Sequence, residues 1–140
     1  MAFFGSSTYS LDAKNRVFIP AKYREELGNT FYITRSLESC LTIYTEEEWA
    51  IFIQNLDRLP RTTGAAAREY FFSAAQKCIP DASGRIILDE TLIGHSKIQK
   101  NVVFVGAGKL LNVWAEDLWK EREENRNTAE LSDLLLQHGL

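Results

Sequence analysis

Cysteine, histidine and proline are scarce in this chain of 140 residues, at two, two and three copies, and that scarcity excludes a good deal. Cys40 and Cys78 lie far apart and form no Cys-x-x-Cys pair, while His95 and His138 have no ligand-type neighbours at metal-binding spacing. A disulfide framework and a metal centre are therefore set aside, in favour of buried thiols and surface or packing imidazoles. Charges interrupt every longer apolar window, so no transmembrane span is expected. Residues 1–5 lack the basic region and long apolar stretch of a secretory leader, and a cytoplasmic location is expected. Catalytic patterns are missing as well. There is no Gly-x-Ser-x-Gly elbow, neither cysteine has a histidine nearby, and Gly106-Ala107-Gly108-Lys109 lacks a P-loop framework. That glycine pair reads instead as a hairpin turn between Val105 and Leu110. Neither an enzyme nor a bound cofactor is expected.

A cationic surplus is absent too. The formal net charge is −3, which counts against broad phosphate binding. The distribution matters more than the sum: Lys14, Arg16, Lys22 and Arg24 cluster early, whereas acids gather at Glu46-Glu47-Glu48 and between Glu116 and Glu130. A local basic face on an acidic chain is compatible with that layout.

What the chain does contain is an internal repeat. Asp12-Ala13-Lys14-Asn15-Arg16-Val17-Phe18-Ile19 returns as Asp81-Ala82-Ser83-Gly84-Arg85-Ile86-Ile87-Leu88, displaced by 69 residues. A second match follows in the same order, with Leu41, Ile43, Tyr44 and Trp49 answered by Leu111, Val113, Trp114 and Trp119 at a displacement of 70. Two ordered matches with consistent spacing point to duplication of a small unit. Each unit is marginal alone, so the two are expected to need mutual packing or assembly with other copies.

Local chemistry supplies the elements of each copy. Residues 7–11 alternate as a strand, and Asp12-Ala13-Lys14-Asn15 makes a turn in which Asn15 can take a left-handed conformation. Residues 16–19 are the return strand, Pro20 starts a short helix, and Gly28-Asn29 stops it. Strands over 31–34 and 41–44 complete the unit. Thr45 and Glu48 form a capping box for a helix that carries Trp49, Phe52, Ile53 and Leu56 on one face. Residues 59–64 break that helix, and residues 65–76 form a second. The second copy repeats the order, with strands over 77–80 and 85–88, a short helix over 90–93 ended by Gly94, and strands over 102–105 and 110–114. The last segment reads as helices over 115–126 and 129–137, with Leu131, Leu134 and Leu135 on one side, as in a packed amphipathic tail.

The Asp-x-x-x-Arg turn has two readings. In the first, the Asp accepts backbone N–H groups and pairs with the Arg, so that Asp12–Arg16 and Asp81–Arg85 only lock hairpins. In the second, Asp12 orients the Arg16 guanidinium outward to bind phosphate or a guanine edge, with Lys14 at the turn tip, and Lys22 and Arg24 as phosphate contacts. For Asp81 and Arg85 both readings stay open, since Ser83 replaces the tip lysine.

The doubled Asp-x-x-x-Arg-(Val/Ile)-x-(Ile/Leu) pattern resembles the MraZ family of bacterial transcriptional regulators, as do the opening Phe3-Phe4-Gly5, Pro20-x-x-Tyr23-Arg24, and the closing Trp49 and Trp119. The likeness covers about residues 1–125. It implies an α+β fold of two tandem AbrB-like (SpoVT-AbrB) β-β-α-β-β modules, packed as a pseudo-symmetric β-barrel-like unit with helices outside. The corresponding boundaries are residues 6–49 and 77–120 for the modules, 50–76 for linking helices and 121–140 for a helical tail. The resemblance also implies a ring-shaped homo-oligomer that binds repeated short boxes of double-stranded DNA upstream of the division and cell-wall gene cluster, mainly as a repressor, in the cytoplasm and nucleoid. It attributes DNA contact to the first turn, carried here by Asp12 to Arg16. Two positions depart from the pattern. Asn15 stands where glycine is common, and Asp89 stands where the first copy has Pro20, placing negative charge beside the second turn. The alternative is an oligomeric scaffold, or a partner-binding protein, built on the same modules without DNA binding.

Overall fold

The computed structural model describes residues 2–140; Met1, the first residue of the opening segment, lies outside the described residues. The first half runs β1 (Ser6–Ser10), β2 (Arg16–Phe18), α1 (Ala21–Leu27), β3 (Phe31–Arg35), β4 (Leu41–Thr45), α2 (Glu46–Asp57) and α3 (Arg61–Ser73). The second half repeats that order as β5 (Gln76–Cys78), β6 (Arg85–Ile87), α4 (Glu90–Ser96), β7 (Asn101–Ala107), β8 (Leu110–Ala115), α5 (Glu116–Glu124) and α6 (Thr128–Gln137).

Six strands form one antiparallel sheet in the order β1-β7-β8-β4-β3-β5, and β2 and β6 form a separate two-stranded ribbon. This is an open mixed α+β architecture, and among the described residues no closed barrel is formed. The barrel implied by the resemblance does not close, because among the described residues β2 and β6 pair only with each other, leaving β1 and β5 as the edges of the sheet. The halves exchange strands: β1 pairs with β7, and β5 with β3. Tyr9↔Val102 in one exchange answers Cys78↔Phe31 in the other.

Two central pairings are symmetric under the repeat. Val17 faces Ile86 in the ribbon, and Thr42 faces Asn112 in the sheet. Each residue is opposed by its own counterpart, so an approximate two-fold passes near both pairs. Thr42 Oγ1 donates to Asn112 Oδ1 at 3.1 Å, tying β4 to β8 at that point.

The ribbon lies over one face of the sheet. Val17, Ile19, Ile86 and Leu88 are buried with Phe31, Ile33, Leu41, Ile43, Val102, Phe104, Leu111 and Val113 in one apolar cluster, closed by Tyr23 and Leu27 of α1 and Leu92 of α4. The alternate residues of the strands face the outer helices. There Tyr32 stacks on Trp49 at 5.1 Å and Tyr44 on Phe52 at 4.9 Å, while Trp114 meets Trp119 of α5 at 6.0 Å. Burial on both sides explains why residues 41–44 are buried without alternation.

Thr45 caps α2 as expected, its hydroxyl accepting from the Glu48 N–H at 3.1 Å. Several features of the helices differ from expectation. The break between α2 and α3 is confined to residues 58–60, because Pro60 starts the next helix and Gly64 is accommodated inside it. Helix α4 continues through Gly94 and ends at Lys97, whose φ of 59° provides the left-handed stop. The tail forms as helix, capped by Asn127, whose side-chain oxygen accepts from the Glu130 N–H, but it is not packed. Leu134 and Leu136 remain 49 % and 67 % exposed, because the core is already closed by α5 and nothing among the described residues covers the far side. Among the described residues no helix is long and apolar enough to cross a membrane.

Candidate nucleic-acid interface

Both repeat turns are built by one local device. Asp12 Oδ1 accepts from the backbone N–H groups of Lys14 and Arg16, each at 2.9 Å, and Oδ2 accepts from Arg16 Nε at 2.7 Å. Asp81 does the same with the N–H groups of Ser83 and Arg85 at 2.9 Å and with Arg85 Nε at 3.0 Å. The chain reverses through left-handed residues, Asn15 with φ 59° and Gly84 with φ 85°. The left-handed conformation expected of Asn15 is thus present, and asparagine tolerates it better than most L-residues do. Donation to Asp12 holds its carboxyl below the usual carboxylate range, the Arg16 backbone N–H contributing most and the Arg16 side chain adding to it. Asp81 is lowered in the same way, led by the Arg85 N–H.

The turns also grip each other. The Ile19 N–H donates to Gly84 O at 2.9 Å, and the symmetry-related Leu88 N–H donates to Asn15 O at 2.9 Å. Their antiparallel pairing brings Arg85 Nη1 to 3.9 Å from Asp12 Oδ2. Asp12, Arg16, Asp81 and Arg85 therefore belong to one cluster. Arg16 and Arg85 have nearly equal side-chain exposure, 29 % and 26 %. Each uses Nε to hold its own aspartate, and the terminal nitrogens of Arg16 have no partner among the described residues. A fixed guanidinium with its end exposed is suited to a bidentate acceptor such as a phosphate or the guanine O6/N7 edge.

The remaining expected cations are placed differently. Lys14 is exposed at the tip of the first turn, its side chain without a partner among the described residues. Arg24 Nε donates to Ile19 O at 2.8 Å, and its guanidinium lies over Gly84, where a built Cβ would come within 2.5 Å of Arg24 Cζ. It braces the second turn from the first half. Lys22 Nζ lies 3.5 Å from Ser6 O and 5.0 Å from the Tyr23 ring centroid, against the opening segment.

Gln76 was not singled out by sequence reasoning, yet its side chain holds the end of β6. Its amide nitrogen donates to Ile87 O at 2.7 Å and its oxygen accepts from the Asp89 N–H at 2.9 Å. The signal lay in the repeat: Pro20, the counterpart of Asp89, has no N–H to satisfy, and Ser7 stands where Gln76 does. Asp89 itself caps α4, accepting from the Leu92 N–H at 3.1 Å. A groove of about 350 Å³ runs beside this cluster, lined by Arg16, Arg85, Gln76, Lys77 and Ile79 among others. Among the described residues no three His, Cys, Asp or Glu side chains converge as a metal site would require.

The doubled geometry has a counterpart in the comparison with known families. The family model described as "MraZ protein, putative antitoxin-like" matches the chain twice, over residues 2–69 and 71–135. The chain belongs to the MraZ family. Relatives in this MraZ family include the Transcriptional regulator MraZ of Ligilactobacillus salivarius, 41 % identical over 129 residues that cover 88 % of this chain and 90 % of that protein. A second is the Transcriptional regulator MraZ of a Thermoanaerobacter species, 38 % identical over 127 residues and 89 % of each chain. The protein of the same name from Clostridium tetani is 33 % identical over 141 residues, 99 % of each chain. The MraZ likeness therefore extends over the interlocked turns, the sheet and both helical segments.

Proposed function

We propose that this MraZ-family chain is a sequence-specific, double-stranded DNA-binding transcriptional regulator without catalytic activity. The observation that carries the reading is the pair of Asp-anchored arginines, Arg16 and Arg85, set about an approximate two-fold with similar exposure. Arg16 and Arg85 read base edges or grip phosphate, Asp12 and Asp81 orient them, and Lys14 adds a phosphate contact at the tip. Arg24 and Lys22 act more indirectly, by bracing the second turn and the opening segment. The names of the relatives support the regulatory role.

In this reading residues 6–49 and 77–120 are tandem AbrB-like modules, residues 50–76 and 121–140 their helical appendages. The repeated element order and the doubled family match support that division. The chain acts as a ring-like homo-oligomer on repeated short boxes, repressing the division and cell-wall gene cluster from the cytoplasm and nucleoid. Few cations per chain make a single grip weak. Several identical grips at fixed spacing turn later contacts into intramolecular ones and raise avidity by about 10²–10⁴. The exposed leucines of α6 provide a face for such assembly. That same face favours the second reading, an oligomeric scaffold that meets a protein partner through its helices.

The test is binding of the full chain to the DNA upstream of its own gene, across a salt series, for the native protein, Arg16→Ala and Arg85→Ala. Each substitution is expected to weaken binding tenfold or more and, where it removes a phosphate contact, to lower the salt slope by about one. Undiminished affinity and slope in both variants would remove this assignment. A folded oligomer that shifts no DNA would favour the scaffold.

A further inference from the structure

The outward face of the β2–β6 ribbon carries four side chains in a checkerboard. Val17 and Ile86 point into the core, so their neighbours Arg16, Phe18, Arg85 and Ile87 stand on the opposite face. The register sets Arg16 across from Ile87 and Phe18 across from Arg85. Arg85 Cζ lies 5.7 Å from the Phe18 ring centroid. Phe18 is 42 % exposed and Ile87 59 % exposed.

Leaving two large apolar side chains in water costs free energy, and the turns do not need them there. The interlock is made by backbone hydrogen bonds and by the inward residues Val17, Ile19, Ile86 and Leu88. Alternate residues on a strand are about 6.6 Å apart, close to two base-pair steps of about 3.4 Å. Paired strands lie about 5 Å apart, so the ribbon fits a major groove about 12 Å wide. In that groove guanine offers acceptors to an arginine fork, and thymine offers the C5-methyl as the apolar feature. A second copy of the chain is a poorer occupant. Self-docking through this face would bring four guanidiniums together, which like-charge repulsion disfavours.

We propose that Phe18 and Ile87 are specificity-determining residues that contact thymine C5-methyl groups within about two base pairs of the guanines read by Arg16 and Arg85. This rests on the DNA-binding reading above and adds the identity of the flanking bases.

The experiment starts by selecting duplexes from a randomised pool with the full chain, then replaces each thymine of the enriched duplex by deoxyuridine, which deletes only the methyl group. The native protein is expected to lose about three- to fivefold in affinity at thymines beside the guanines, the worth of one buried methyl group. Phe18→Ser and Ile87→Ser are each expected to erase that thymine–uracil difference at one position, with the oligomeric mass unchanged by light scattering. Equal binding of thymine and uracil duplexes by the native protein overturns the proposal, and this arm decides even if the serine variants unfold. Folded serine variants that keep the distinction, or that change the oligomeric mass instead, also overturn it, the latter marking the patch as a contact between copies. A pool that enriches no sequence defeats the DNA-binding reading itself and this proposal with it.

Discussion

Asp12 of the first turn lies 3.9 Å from the Arg85 guanidinium of the second, while holding its own Arg16 at 2.7 Å. One carboxylate therefore stands between two arginines that are 69 residues apart in sequence. Asp81 anchors Arg85 at 3.0 Å. Asp12→Ala is expected to weaken DNA binding more than Asp81→Ala does. A double-mutant cycle between Asp12 and Arg85, read by DNA affinity, should give a non-additive result; strict additivity would show that the longer contact carries no coupling.

The same carboxylates set an acid limit. Both are lowered below the ordinary Asp value in the folded chain, led by backbone donation from Arg16 and Arg85 respectively. Their stabilisation is fully present above the unfolded value of about 3.9 and is lost as pH falls through the lower folded values. The urea midpoint should therefore fall in that acid window, and the fall should be shallower in Asp12→Asn/Asp81→Asn. An identical acid limb in the double variant would show that other groups dominate.

Gly84 is constrained twice, by its φ of 85° and by Arg24 above it. Gly84→Ala is expected to destabilise by about 1–2 kcal/mol from the left-handed backbone alone, with the Arg24 clash adding to it. Combining it with Arg24→Ala should recover the second part and leave the first. Asn15→Gly, where the left-handed φ of 59° is already tolerated, should shift the thermal midpoint little.

Cys40 and Cys78 are buried and reduced. Burial pushes the Cys78 thiol up to about 12, with the Asp89 charge adding to it, and also raises that of Cys40. At pH 8 a thiol reagent should label neither in the folded chain and both after denaturation, counted by mass spectrometry. Rapid labelling of Cys78 under native conditions would mean that β5 opens readily at the sheet edge.

The tail offers a separable test of assembly. Leu134→Asp/Leu135→Asp changes side chains that are 49 % and 40 % exposed and should leave the stability of the single chain nearly unchanged. Under the proposed assembly the oligomeric mass should drop, and affinity for multi-box DNA should drop with it, while binding to a single box stays as before. An unchanged mass would place the subunit contact elsewhere.

Short-range chemistry was readable from the residues alone. The Asp-x-x-x-Arg turns, the left-handed Asn15 and the Thr45 cap each depend on groups within a few positions of one another, so their hydrogen bonds are written locally. The duplication was readable too, because matched side chains recur at a fixed displacement. Residues 41–44 showed their strand character but not their burial on both faces, since helices far along the chain cover the second side.

What could not be read was how the two copies meet. A repeat states that two units are alike, but alike units can stand side by side, close a barrel or trade strands. The free energies of these arrangements differ through contacts between distant segments, not through local propensity. Folding chose the exchange of β1 and β5 and the pairing of β2 with β6. That choice put Arg16 and Arg85 on one surface, with Phe18 and Ile87 beside them, and drew Arg24 from the first half onto Gly84 of the second.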